Sequence, residues 1–85
     1  MTAKVSKTHQ ATVQTICKHL GSTMREARKQ AGKLQKDLAD EIGISLPTYQ
    51  DLEAGKTTVS MGTLISALVR LQLSDTLFEI TTGKN

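Results

Sequence analysis

The chain has 85 residues, a net charge of +3 with a pI near 9.3, 38% apolar residues and a single Tyr and Phe. That length makes one small domain with a thin aliphatic core, which dimerisation would support, and so few rings argue against base-stacking single-strand or RNA modules. The charge suits nucleic acid but is too mild to identify it, and a lone Cys17 excludes an internal disulfide or a cysteine-only zinc site. No 18-residue apolar run and no signal-peptide core occur, so the expected location is cytoplasmic, away from any membrane.

Residues 1–8 are polar, with Lys4 and Lys7, and are expected to be a flexible arm or a basic arm that touches DNA. From about Gln10 or Thr12 to Ala31, the apolar residues Val13, Ile16, Cys17, Leu20, Met24, Ala27 and Ala31 keep a 3.6-residue period. That predicts one helix kinked at Gly21 or two broken at Gly21-Ser22, closed by Gly32. Cys17 falls on the apolar stripe and is expected as a small buried hydrophobe.

The stretch QKDLADEIGISLPTYQDLEAG, residues 35–55, predicts two short helices and a tight turn. Leu38, Ala39 and Ile42 form one apolar face, and Gly43 supplies a left-handed stop at no steric cost. Ser45 can cap the next helix, Leu46 to Ala54, and Pro47 falls in the first turn, where a missing N–H does no harm. Tyr49 and Leu52 point inward. Helix, glycine turn, helix in about 21 residues is the layout of a helix-turn-helix, whose second helix enters the major groove. Lys56 to Val59 is a loop, and Ser60 caps a fourth helix through Met61, Leu64, Ile65, Leu68, Val69 and Leu71. Ser74 opens a fifth element whose signals conflict: Asp75-Thr76-Leu77 suits a helical turn, whereas residues 77–82 have strand composition.

Gln35, Leu38-Ala39, Gly43-Ile44-Ser45, Leu52-Glu53 and Gly55, with Arg28, Gly32, Thr63-Leu64, Leu68 and Leu71, resemble the Cro/C1-type (XRE-like) helix-turn-helix family over residues 20–80. The resemblance implies an all-α, five-helix, lambda-repressor-like domain. The stretches TTVSMGTLISALVRL and LQLSDTLFEI are similar, more narrowly, to the HipB-like branch of antitoxin regulators. That branch implies a short C-terminal strand pairing across a homodimer through Leu77, Phe78 and Ile80. The expected division is an arm at 1–8, a helix-turn-helix domain at 9–76 and a dimerisation strand and tail at 77–85. The chain departs from the family at Lys33-Leu34, where an apolar residue and a capping hydroxyl are usual, which leaves the start of the second helix open by a residue or two.

Each candidate site residue has a bland alternative. The resemblance implies an internal ion pair between Arg28 and Glu53 that would lock the third helix against the first; otherwise the two charges are separately solvated. Gln35, at a helix N-terminus, is placed to donate to a phosphate, flanked by Lys33 and Lys36; the alternative is a solvated helix end. Ser45, Leu46, Pro47, Thr48 and Gln50 are the candidate base-reading residues. Gln50 can pair with adenine through its amide, and Leu46 and Pro47 can pack on thymine methyls or be merely tolerated in solvent. Asp51 is repelled by phosphate. Lys56, Thr57 and Thr58 are candidates to grip the backbone without reading sequence.

His9 and His19 have no ligand cluster around them, so surface roles outweigh metal binding. Nothing resembles a nucleophile elbow or a phosphate loop. The expectation is a non-enzyme without cofactor or metal: a homodimeric duplex-DNA-binding repressor on an inverted repeat, autoregulating and paired with a HipA-like kinase toxin. A stand-alone phage or mobile-element repressor is the alternative within that class. A protein-interaction module that no longer reads DNA is the alternative outside it, with RNA binding a distant third.

Overall fold

The computed structural model describes residues 6–73, which hold four helices: α1 (Lys7–Gln30), α2 (Gln35–Ile42), α3 (Leu46–Ala54) and α4 (Met61–Arg70). No strand occurs among the described residues. The expected fifth element and the dimerisation residues Leu77, Phe78 and Ile80 lie outside them.

Local chemistry sets the helix ends. α1 starts earlier than its apolar period implies, because Ser6 caps it by accepting from the His9 N–H at 3.3 Å. Lys7 and Thr8, assigned above to the arm, are therefore helical. α2 has no capping hydroxyl, since Leu34 occupies the cap position. The Asp37 carboxylate replaces it from inside the first turn, accepting from the Leu34 N–H at 2.8 Å, so the helix begins at Gln35. Ser45 and Ser60 cap α3 and α4 by accepting from the N–H groups of Thr48 and Thr63, each at 3.2 Å. Gly43 and Gly55 end α2 and α3 at φ +85° and +75°, in the left-handed region.

α1 runs unbroken through Gly21-Ser22. Of the two expected arrangements the single helix holds and the break does not, because Gly21 is a contact rather than a hinge. It is buried against α3, and a Cβ in its place would lie 2.5 Å from the Glu53 carbonyl oxygen. The missing side chain lets two helix backbones touch. Gly55 makes the reciprocal approach: a Cβ in its place would lie 2.6 Å from the Lys18 Cα.

α3 packs against both α1 and α2, and α4 packs against α2. The core gathers Met24 from α1, Leu38 and Ala39 from α2, Tyr49 and Leu52 from α3, and Ala67 and Leu68 from α4, bordered by Ile42, Ile44, Val59, Leu64, Leu71 and Leu73. α3 is thus wedged by Tyr49 and Leu52, which are 0% and 3% exposed, and its opposite side faces out. Cys17 is half buried, not enclosed, because it lines an apolar groove with Leu20, Val59, Met61 and Leu64.

Candidate nucleic-acid interface

Four side chains from three helices form one hydrogen-bonded chain beneath the outer side of α3. Arg28, near the end of α1, holds Glu53 of α3 with two parallel bonds, Nε to Oε2 at 2.7 Å and Nη2 to Oε1 at 3.2 Å. Its remaining nitrogen, Nη1, donates to the Lys33 carbonyl at 2.9 Å, which ties the α1–α2 turn to the same group. Gln35, the first residue of α2, donates from Nε2 to Glu53 Oε1 at 3.0 Å. Gln35 in turn accepts at Oε1 from Gln50 Nε2 at 3.4 Å. Arg28 and Glu53 side chains are 11% and 4% exposed, so water does little to screen them.

The electrostatics follow from this packing. Burial pushes the Glu53 carboxyl up, but the bond from Arg28, helped by Gln35, outweighs it and holds the group below its ordinary value. The same carboxylate holds the Arg28 guanidinium above its ordinary value. Tyr49 lies under the pair. Its hydroxyl is buried without a hydrogen bond of sound geometry, and burial pushes its pKa up, so it stays neutral.

The outer surface is built on this base. Ser45 is exposed at the N-terminus of α3, and its hydroxyl lies 2.8 Å from that of half-buried Thr48. Leu46 is 36% exposed, and Pro47 and Gln50 are exposed beside it. Lys36 is exposed in the first turn of α2, and Lys56, Thr57 and Thr58 are exposed after Gly55. The Lys56 N–H closes α3 by donating to the Asp51 carbonyl at 3.0 Å. Together these groups present amide and hydroxyl donors and acceptors, two apolar contacts and a cationic border, the mixture that base edges and phosphates require.

Lys33 is not gathered with the others. Its ammonium donates to Glu41 at 2.7 Å, on a part of α2 about 120° round the axis from Gln35. Arg25 is gathered, although it escaped the sequence reading. It lines a shallow cleft with Arg28, Gln35, Gln50, Glu53 and Ala54. The available signal was its position one turn before Arg28 on the same helix. Among the described residues no His, Cys, Asp and Glu cluster could hold a metal ion.

An all-helical domain with a propped, outward-facing second helix defines the helix-turn-helix class. The family described as helix-turn-helix matches residues 24–78, well over half of the chain, and the chain belongs to it, in the XRE-type group of DNA-binding transcription regulators. No curated protein and no solved structure matches the chain. No helix among the described residues is long and apolar enough to cross a membrane.

Proposed function

We propose that this chain is a sequence-specific repressor that binds duplex DNA as a homodimer on an inverted repeat, with α3 as the recognition helix. The observation that carries the reading is the Arg28–Glu53–Gln35–Gln50 chain, which sets the angle of α3 from below and orients Gln50 at its surface. A preset reading residue loses less freedom on binding than a loose one. Gln35 and Gln50 serve one phosphate and one base respectively, and Ser45, Leu46, Pro47 and Thr48 complete the groove-facing surface. Lys36, Lys56, Thr57 and Thr58 hold the flanking backbone. The regulator works in the cytoplasm and has no catalytic activity or cofactor.

Its finer role is that of an autoregulating antitoxin with a HipA-like kinase toxin as partner. The support is the HipB-like character of residues 57–80, and the assignment of Leu77, Phe78 and Ile80 to a cross-dimer strand rests on the same resemblance. A second reading, a protein-interaction module, draws on Leu46 and Pro47, which place apolar surface where polar readers are common.

Selection of bound sequences from a random duplex pool, followed by titration of the selected site, separates the readings. The repressor reading expects an inverted repeat bound with steep salt dependence. Gln50→Ala should cost about 1–3 kcal/mol on the selected site and almost nothing on random duplex. No sequence preference at physiological salt would favour the interaction module.

A further inference from the structure

We propose that one flank of α1, carrying Lys18 and Arg25, is a phosphate-gripping rail that runs beside the recognition helix and enlarges the DNA interface; this rests on the duplex-binding reading above. The first ground is placement. Arg25 lines one cleft with Gln35, Gln50 and Ala54, so it stands at the rim of the surface assigned above to the groove.

The second ground is charge. Two guanidiniums border that cleft, but Arg28 is cancelled by Glu53 at 2.7 Å. Arg25 is exposed and has no ion-pair partner among the described residues, so it is the uncompensated cation there. Lys33, in the turn before α2, is drawn off to Glu41. An interface to a polyanion would otherwise be short of positive charge on this side.

The third ground is the rotation of α1. Cys17, Leu20 and Met24 face the apolar groove toward α4, and Gly21 faces the α3 backbone. Lys18 and Arg25 lie on the other flank. They are one helical near-repeat apart, about 10 Å along the axis and about 20° in azimuth. The Lys18 backbone abuts Gly55, at the end of α3, while Arg25 stands level with Gln50 and Ala54. The two cations therefore track α3 in parallel, as contacts to successive positions on one DNA strand would. A guanidinium also matches the paired oxygens of a phosphate, which an ammonium does not.

The test uses the full chain and its selected duplex, with affinity measured across a range of salt concentrations for the wild type, Arg25→Gln, Lys18→Gln and the double variant. Each phosphate contact adds about 0.9 to the magnitude of the log–log salt slope. Because the homodimer carries each side chain twice, each single variant should lower that magnitude by about 1.8 and the double by about 3.6, with equal losses on selected and random duplex. Arg25→Lys should restore the slope, and thermal melts of all variants should overlay. A double variant with the wild-type slope would overturn the rail while the DNA reading stood. A loss confined to the selected duplex would overturn the phosphate role of the residue concerned. Failure of the wild type to bind any duplex would overturn the underlying reading and the rail with it.

Discussion

Glu53, on α3, and Glu41, on α2, are both carboxylates held below their ordinary value by cations, yet they do different work. Glu53 accepts from Arg28 and Gln35 in a space where the Arg28 and Glu53 side chains are 11% and 4% exposed. Glu41 meets Lys33 and Arg70 at the surface, where the three side chains are 29%, 35% and 47% exposed. Solvent already satisfies the second group, so its ions gain little by meeting. The first group has no such alternative, and losing one partner strands the other. Burial, not the count of ion pairs, decides which carboxylate positions α3.

The contrast can be broken by removing each acid. Glu53→Ala leaves the Arg28 guanidinium almost buried and unpaired, and should cost about 3–5 kcal/mol in chemical denaturation. A loss below about 1 kcal/mol would assign the orientation of α3 to apolar packing by Tyr49 and Leu52 alone.

Gly21→Ala tests the same joint from the backbone side. Glycine to alanine inside a helix ordinarily gains about 1 kcal/mol. Here the new Cβ would meet the Glu53 carbonyl oxygen at 2.5 Å, so a loss of about 1–3 kcal/mol is expected instead. A stabilised variant would show that α1 and α3 can separate without harm to the joint.

Acid separates the two carboxylates next. A carboxyl whose folded pKa is depressed contributes stability that is present above its unfolded value, ordinarily 4.5, and lost as pH falls through the folded value. Stability should therefore fall with acidification below that region, and Glu53→Gln should flatten the fall. A Glu53→Gln curve parallel to the wild type would assign the acid response to other groups.

The smallest effect is expected at the surface. The Lys33 bond and the Arg70 charge lower the Glu41 pKa, but the group lies at the surface, open to water. Glu41→Gln should leave the denaturation midpoint within the scatter of replicate curves, at low and high salt alike. A shift comparable to that of Gly21→Ala would mean that the open cluster braces α2 against α4.

The boundaries of α2 and α3 were legible because their signals are local. Gly43, Ser45 and Gly55 act on the backbone within one turn of themselves, so no distant residue need be known. The start of α1 was less legible. Ser6 lies in a polar stretch with no apolar period, and hydrophobic spacing registers only from Val13 onward. The outcome at Lys33 and Arg25 could not be read locally at all. Each is a long cation near the turn of interest, and only the rotation of α1 and α2 sends one toward Glu41 and the other toward Gln50. Gly21 left one helix or two open for the same reason, since a glycine at a break and a glycine at a helix crossing look alike along the chain.

Sequence alone determined that this protein is a small helical domain with a glycine turn between two short helices, because caps and apolar spacing act over a few residues. It also supplied the helix-turn-helix resemblance and nearly every candidate contact. Beyond the Arg28–Glu53 pair, which the resemblance implied, tertiary structure alone decided which charges are cancelled and which face outward. Pairing, desolvation and rotation about a helix axis depend on what lies across the fold, and no stretch of sequence carries that information by itself.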